Sequence, residues 1–194
     1  MVGGGSQPKP GEITLAHLGV LFLDELPEFD RKVLEVLRQP LESKEIVISR
    51  AARQMTFPAN FQFIAAMNPC PCGYAFNQDS RCQCSPESIQ RYQNRISGPL
   101  LDRIDLHIDV PPLQANELQE RTPSENSETV RQRVMKAYQQ QIQRQQCLNQ
   151  ALSPTLLEQY ACLDDSSSKI IEMAQQRLNL SARAYHRVLR VART

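Results

Sequence analysis

The stretch Gly19–Phe29, GVLFLDELPEF, joins four apolar residues to two adjacent acids. The apolar run Val20 to Leu23 predicts a strand covered on both faces in a parallel sheet, because such strands lack the polar alternation of half-exposed ones. Asp24 and Glu25 then lie at the carboxyl end of the strand, where open α/β sheets bind ligands. The alternative is that both acids only stabilise the positive end of the helix that follows.

The residues up to 112 alternate between strand and helix signals, which predicts an α/β fold. Pro27 suits the first turn of a helix, and we expect that helix to end at Pro40. Further along the chain we expect a hairpin of Ile46–Ser49 and Gln54–Phe57, a buried strand Phe61–Met67, a helix capped by Ser85 and a strand Leu106–Val110.

A change of composition follows Pro111 and Pro112, since the residues beyond them are rich in Gln, Glu and Arg at helical spacing. We expect residues 1–112 to form the α/β part, 113–123 a linker and 124–194 an all-helical part. The first helix of that part is expected to start at the capping box Thr122–Glu125. Its predicted apolar face consists of Val130, Val134, Ala137, Tyr138 and Ile142, and later helices are expected to start at Ser153 and Ser181.

The overall composition says little about partners. The formal net charge is +1, so any attraction to a polyanion depends on local clusters of basic residues. No apolar run is long enough to span a bilayer, and the first residues lack the pattern of a signal peptide. A cytoplasmic protein is the expectation.

Four of the six cysteines fall in one segment, as two C-x-C pairs separated by nine residues: Cys70, Cys72, Cys82 and Cys84. Without a secretion signal, this cluster predicts a Zn²⁺ site rather than disulfides. The spacing inside each pair is shorter than in zinc ribbons, and four reduced thiols in a loop are the alternative.

Two more polar residues stand where chemistry is expected. Asn68 ends the second predicted strand, where its amide would share a water with Glu25, although an asparagine in a turn before a proline is the alternative. Arg103 precedes a predicted strand and would stabilise charge on a transferred phosphoryl group. Its alternative is a weak surface ion pair with Asp102 or Asp105.

Taken in order, these segments resemble those of AAA+ ATPases related to magnesium chelatase. GVLFLDELPEF resembles a Walker B motif, AAMNPCPCG a sensor 1 segment, and ISGPLLDRIDLHIDVP an arginine-finger region. The opening run to Phe29 and the tail LSARAYHRVLRVART are similar to the ComM (YifB) family of magnesium chelatase-like bacterial proteins. The resemblance covers nearly the whole chain, and it implies a partial AAA+ core with a β-hairpin insertion, followed by a helical lid.

The resemblance also implies a role for each candidate residue. Asp24 and Glu25 correspond to the Walker B acids, Asn68 to sensor 1 and Arg103 to the arginine finger. Arg183, in the tail, corresponds to the sensor 2 arginine of the lid, where a solvated helix face is the alternative.

One part of the family's pattern is missing from the sequence. No Gly-Lys pair occurs, so there is no G-x-x-x-x-G-K-[ST] loop to hold the phosphates of ATP. Both ends of the chain look cut, and we expect that loop to lie upstream of Met1 in a longer parent. The chain alone is therefore not expected to hydrolyse ATP appreciably, whereas the parent is expected to use ATP and Mg²⁺.

The resemblance finally implies a homo-hexameric ring that moves DNA, with branch migration during recombination as its task. The DNA-facing segments correspond to residues 3–12, with Lys9, and to the hairpin, with Arg50 and Arg53 near its tip. Arginines on a hairpin contact phosphates without reading bases. The rivals are a metal-insertion ATPase like magnesium chelatase and a zinc-dependent interaction module with no motor role.

Overall fold

The computed structural model of the chain describes residues 1, 3, 9–50, 53–75, 81–111 and 125–194. These residues form two units, Met1–His107 and Ile108–Thr194. The first unit is mixed α/β, whereas the second contains only helices among its described residues. The predicted linker, residues 113–123, lies outside the described part of the chain.

A parallel pair of strands organises the first unit. Strand β1 (Val20–Leu23) pairs in parallel with β4 (Gln62–Ala65), and Leu23 lies opposite Ala65. Both strands predicted from their apolar runs are present, and the mixed α/β class is confirmed.

The prediction that β1 is covered on both faces is wrong for the described residues. Leu21 and Leu23 are buried, whereas Val20 and Phe22 are 53% and 57% exposed. Successive side chains of a strand point to opposite faces, and only one face of this pair is buried against the core of the unit.

The connection between β1 and β4 contains the hairpin. It runs through a 3₁₀ turn (Leu26–Glu28), helices α2 (Arg31–Val36) and α3 (Arg38–Ser43), and strands β2 (Glu45–Arg50) and β3 (Arg53–Pro58). β2 and β3 are antiparallel, with Ile46 opposite Phe57 and Arg50 opposite Arg53. The predicted hairpin is therefore present. A short helix, α1 (Glu12–Leu15), precedes β1 and was not predicted.

The prediction that Pro40 ends the helix after β1 is wrong. The helix starts at Arg31 and is capped by Asp30, whose side chain accepts a hydrogen bond from the Lys32 N–H at 2.7 Å. It is interrupted at Leu37, so that Pro40 occupies the third position of α3. The first N–H groups of a helix have no intrahelical acceptor, and a proline there removes no hydrogen bond.

The core of the first unit joins α1, the parallel strands and the helices. Leu34 and Leu37 from this helix pair are 1% and 0% exposed, and Leu100 is fully buried. The other members are Ile13, Leu21, Leu23, Leu26, Ile46, Ala59, Phe61 and Ile96.

Two short helices follow the cysteine segment. Ser85 caps α4 (Pro86–Gln93) by accepting the Ser88 N–H at 3.2 Å, as predicted, and α5 (Gly98–Leu101) comes next. The strand predicted at Leu106–Val110 is wrong, because these residues pair with no strand among the described residues. Their apolar side chains are 63–87% exposed.

The second unit consists of helices with polar caps. The helices are α6 (Ser127–Gln145), a 3₁₀ turn (Asn149–Ala151), α7 (Pro154–Tyr160), α8 (Asp165–Leu178) and α9 (Ala182–Ala192). Ser153 and Ser181 cap α7 and α9 as predicted, whereas α6 is capped by Asn126. Most of the predicted box Thr122–Glu125 lies outside the described residues. None of the helices described combines the length and apolar character needed to cross a bilayer.

The apolar core of the second unit is small, and consists of Leu152, Leu157, Ala161 and Leu189. The apolar face predicted for α6 is largely exposed, with Val134 at 58% and Tyr138 at 45%. The residues that α6 buries near its end are instead the polar Gln141 and Gln145.

Asn149 forms hydrogen bonds with both glutamines and lies at the centre of a buried polar network. Its backbone N–H donates to Gln141 Oε1 at 2.9 Å, and its Oδ1 accepts from Gln145 Nε2 at 2.7 Å. Its Nδ2 donates to Thr194 Oγ1 at 3.0 Å, beyond the end of α9. Three segments of the unit are thus joined at one side chain that is 2% exposed.

Replacing Leu37 by Ala is expected to destabilise the first unit by about 2–5 kcal/mol, because it empties a fully buried site where α2 meets α3. Leu15→Ala, at a site 69% exposed, is the matched control and should change the free energy of unfolding by less than about 0.5 kcal/mol. Urea denaturation followed by circular dichroism measures both. Equal losses in the two variants would contradict the assigned core.

Candidate functional site

The carboxyl ends of β1 and β4 bring three candidate residues to one edge of the sheet. Asp24 and Glu25 directly follow β1, and Asn68 comes three residues after the end of β4. Two further backbone hydrogen bonds connect the chain segments just beyond the paired residues. The Ala66 N–H donates to Leu23 O at 2.9 Å, and the Leu26 N–H donates to Ala66 O at 3.0 Å.

The turn that carries the two acids has an unusual backbone. Glu25 lies in the left-handed region, with φ 50° and ψ 46°, which is uncommon for a residue other than glycine. Asp24 Oδ1 supports this conformation by accepting the Glu25 N–H at 2.8 Å. The turn ends the alternation of the strand, and both carboxylates are exposed. Strained backbone of this kind clusters at functional sites.

Asn68 lies against a tight turn of the cysteine segment. Gly73 has φ +83°, and a Cβ built on it would lie 3.9 Å from Asn68 Cγ and Oδ1. Its N–H donates to Cys70 O at 3.0 Å, which folds the chain back beside Asn68. Only glycine adopts this conformation without strain, so the turn keeps the backbone close to the amide.

The structure brings the four predicted cysteines together. The Cys70 Sγ lies 3.3 Å from Cys72 Sγ and 3.8 Å from Cys82 Sγ, and Cys72 and Cys82 are 3.6 Å apart. With Cys84 included, all four sulfur atoms lie within 4.8 Å of one another. Four sulfurs about 2.3 Å from a central zinc in a tetrahedron are about 3.8 Å apart, so the spacing fits a Cys₄ zinc site.

The thiols of this cluster influence one another's ionisation. The backbone N–H of Tyr74, together with hydrogen bonds from neighbouring thiols, lowers the pKa of Cys72 to about 6. The backbone N–H of Cys84 favours the Cys82 thiolate, but burial and the adjacent thiols outweigh it and raise the pKa of Cys82 to about 12. The Cys72 thiolate therefore forms readily, whereas the Cys82 thiolate needs a positive charge such as a metal ion supplies.

Helix α4 connects the cysteine segment to both strand ends. It begins two residues after Cys84, and Gln93 at its end donates to Pro69 O at 3.0 Å, next to Asn68. Arg95 then donates to Pro27 O at 3.0 Å, in the turn that follows Glu25. The two turns that carry the candidate residues are thus held by the end of α4 and by the segment that directly follows it.

Arg103 is held within its own unit. It forms an ion pair with Glu42, with 2.6 Å between Nη2 and Oε2, and it also donates to Pro99 O. Its side chain is only 13% exposed. The structure thus shows an ion pair of Arg103 with Glu42, whereas the alternative named Asp102 or Asp105 as the partner.

The candidate basic residues lie elsewhere in the chain. Arg50 and Arg53 are opposite each other at the end of the hairpin, but their side chains lie outside the described part of the structure. Lys9 is exposed, and residues 4–8 before it are outside the described residues. Arg183 is exposed in the first turn of α9, in the second unit.

Sequence reasoning missed Glu42 and Arg95. Arg95 pairs with Glu28 at 2.9 Å across a separation of 67 residues, and Glu42 meets Arg103 across 61 residues. Neither residue belongs to a local motif or a periodic face, so no signal in the sequence marks it.

Comparison with known proteins adds two family matches. Residues 1–118 match the model described as magnesium chelatase, subunit ChlI, and residues 124–194 match its C-terminal model, subunit ChlI C-terminal. Together the two models cover nearly the whole chain.

Individual relatives agree with these matches. Competence protein ComM of Haemophilus influenzae is 52% identical over 100% of the chain and 38% of its own length. YifB of Escherichia coli is 48% identical with the same coverage, and a Mycobacterium tuberculosis protein is 40% identical over 99% of the chain and 39% of its own length. The chain thus spans less than two fifths of the length of these curated relatives.

Proposed function

The chain belongs to the magnesium chelatase subunit ChlI family, and from that premise we propose that it forms part of an ATP-driven AAA+ motor acting on DNA. The parallel pairing of β1 with β4 is the observation that carries the ATPase proposal. It places Asp24, Glu25 and Asn68 at the edge where α/β sheets bind ligands.

Each of these side chains has a role in ATP hydrolysis. Asp24 offers exposed carboxylate oxygens, which are the donors that a hydrated Mg²⁺ takes alongside phosphate oxygens. Glu25 orients or deprotonates the attacking water, and Asn68 holds the same water. Bound Mg²⁺ neutralises charge on the phosphates.

The site is completed by arginines and by a second copy of the protein. In a homo-hexameric ring, Arg103 acts on the nucleotide of the neighbouring subunit and stabilises the transferred phosphoryl group. Arg183, exposed on α9, is the proposed sensor 2 arginine. The sequence contains no Gly-Lys pair. ATP hydrolysis is therefore expected of the full-length protein and not of these 194 residues alone.

DNA is the proposed substrate of the motor. Lys9, Arg50 and Arg53 are the proposed phosphate contacts, and a hairpin with arginines at its end suits a motor that ignores sequence. One relative is named a competence protein, which supports branch migration or helicase action during transformation or recombination as the task. A motor that uses ATP and acts on DNA is accordingly proposed to work in the cytoplasm.

The family name supports a second candidate, a metal-insertion ATPase of the magnesium chelatase type. This candidate shares the site at the strand ends and differs in its partner. Stimulation of ATP hydrolysis by DNA distinguishes the two candidates, because DNA is not the partner of a metal-insertion ATPase.

We also propose that the four cysteines hold one structural Zn²⁺. The sulfur spacing fits a closed tetrahedral site, and the cluster joins segments that contain few apolar residues. Zinc thus stabilises the loop between Asn68 and α4. A zinc-dependent interaction module without motor activity would keep this site and would not need Glu25.

Glu25→Gln in the full-length protein is expected to lower kcat for ATP hydrolysis by about 100-fold or more, because the amide cannot accept the proton of the attacking water. Nucleotide binding should remain. The matched control is Glu87→Gln, at an exposed glutamate of α4, and it should leave kcat unchanged. Steady-state kinetics and nucleotide titration measure both, and an unchanged kcat in Glu25→Gln would refute the motor assignment.

Replacing both Arg50 and Arg53 by Ala is expected to abolish the stimulation of ATP hydrolysis by DNA. The slope of log K for DNA binding against log salt concentration is negative, and its magnitude should become smaller by about 0.7–0.9 for each lost phosphate contact. The control is Arg131→Ala with Lys136→Ala, on the exposed surface of α6. If DNA leaves the rate of the unaltered protein unchanged, the DNA proposal fails and the metal-insertion candidate is favoured.

Purified protein is expected to contain about one Zn²⁺ per chain by mass spectrometry of its metals. Cys82→Ser should lose the metal, whereas Cys162→Ser, at an exposed cysteine outside the cluster, should retain it. Protons compete with zinc for the thiolates, so occupancy should fall as the pH is lowered. Protein that folds normally and takes up no zinc would contradict the site.

A further inference from the structure

The ion pair between Glu42 and Arg103 joins two parts of the first unit that the proposed motor uses for different tasks. We propose that Glu42 is a positioning residue, which ties the base of the β2–β3 hairpin to Arg103 and lets the hairpin set the orientation of that guanidinium. This inference rests on the proposed function, because it requires the hairpin to contact DNA and Arg103 to act on a neighbour's nucleotide.

Arg103 depends on Glu42 for its orientation. The guanidinium has five N–H donors in a fixed plane, and its side chain is 13% exposed. Nη2 lies 2.6 Å from Glu42 Oε2, Nη1 donates to Pro99 O, and Nε is buried without a hydrogen-bond partner. A largely buried cation needs a compensating anion, and Glu42 supplies it. Displacing Glu42 therefore changes where Arg103 can rest.

Glu42 is in turn attached to the hairpin. It is the penultimate residue of α3, and β2 begins three residues later, at Glu45. Ser43 Oγ accepts the Glu45 N–H at 3.4 Å, and Ala59 N–H donates to Lys44 O at 2.8 Å. These bonds clamp the end of α3 to the first residue of β2 and to the residue after β3. A displacement of the hairpin is consequently transmitted to Glu42.

The clamp has one bend at which the hairpin meets the helix. Lys44 ends α3 in the left-handed region, with φ 62° and ψ 18°. The direction of the chain therefore changes at this single residue. Glu42 lies on the helix side of the bend and the hairpin on the other side, and the distance along the chain between them is three residues. The path from the hairpin to Arg103 is therefore short and consists of hydrogen-bonded groups.

The charge on Glu42 is the part of the path that a substitution can remove with little change of shape. In the full-length protein, Glu42→Gln is expected to reduce the stimulation of ATP hydrolysis by DNA about two- to thirty-fold, the size of a typical coupling between sites. The effect should appear in kcat and not in KM for ATP, and the affinity for DNA should stay unchanged. Glu87→Gln, at an exposed glutamate of α4 outside this path, is the matched control with full stimulation.

Glu42→Asp keeps the charge on a side chain one methylene shorter, and it should recover part of the stimulation that Glu42→Gln loses. A role limited to stability would instead lower the melting temperature and leave the stimulation factor of the folded protein unaltered. Full stimulation in Glu42→Gln, or no recovery in a folded Glu42→Asp, would overturn the inference.

Hydrogen exchange provides a second test, and its first part uses only the unaltered full-length protein. Adding DNA should change the exchange of residues 98–104 together with that of the hairpin, and in Glu42→Gln only the hairpin should respond. No change at residues 98–104 in the unaltered protein would overturn the inference even if Glu42→Gln does not fold. A failure of the proposed function is a separate result, because the unaltered protein would then show no stimulation by DNA at all.

Discussion

The parallel pairing of β1 with β4 is the constraint on which the rest of the first unit depends. Parallel strands end at the same edge, so pairing Leu23 with Ala65 brings the acids after one strand to the same edge of the sheet as the amide after the other. It also obliges the chain to cross back between the two strands, and the crossover holds α2, α3 and the hairpin. The candidate site and the segment proposed to contact DNA are consequences of a single strand pair.

The sequence predicted the elements whose signals are local. Both parallel strands and the hairpin follow from runs of apolar residues, and Ser85, Ser153 and Ser181 cap helices as their position before proline or small residues indicates. The failure at Leu106–Val110 is non-local. Leu106–Val110 has the composition of a strand but no pairing partner among the described residues, and a strand cannot form without one.

The candidate site was predicted to a similar extent. Adjacent acids after an apolar run and four close cysteines are signals that a single segment contains, and the structure brings the cysteine sulfurs together. The partner of Arg103 was not predictable, because Glu42 lies 61 residues away and the nearer acids fit the same pattern. The left-handed backbone at Glu25 was equally hidden, since a glutamate gives no sign that its φ is positive.

The second unit rests on a different balance of forces. Among its described residues, four apolar side chains are buried in its core, and Asn149 engages α6, the residue beyond α9 and its own turn through directed bonds. Apolar contacts tolerate sliding, but a buried amide accepts only partners that meet its donors and acceptors at the correct angle. The directed bonds of Asn149 therefore fix the register of α6 relative to the segment that ends α9.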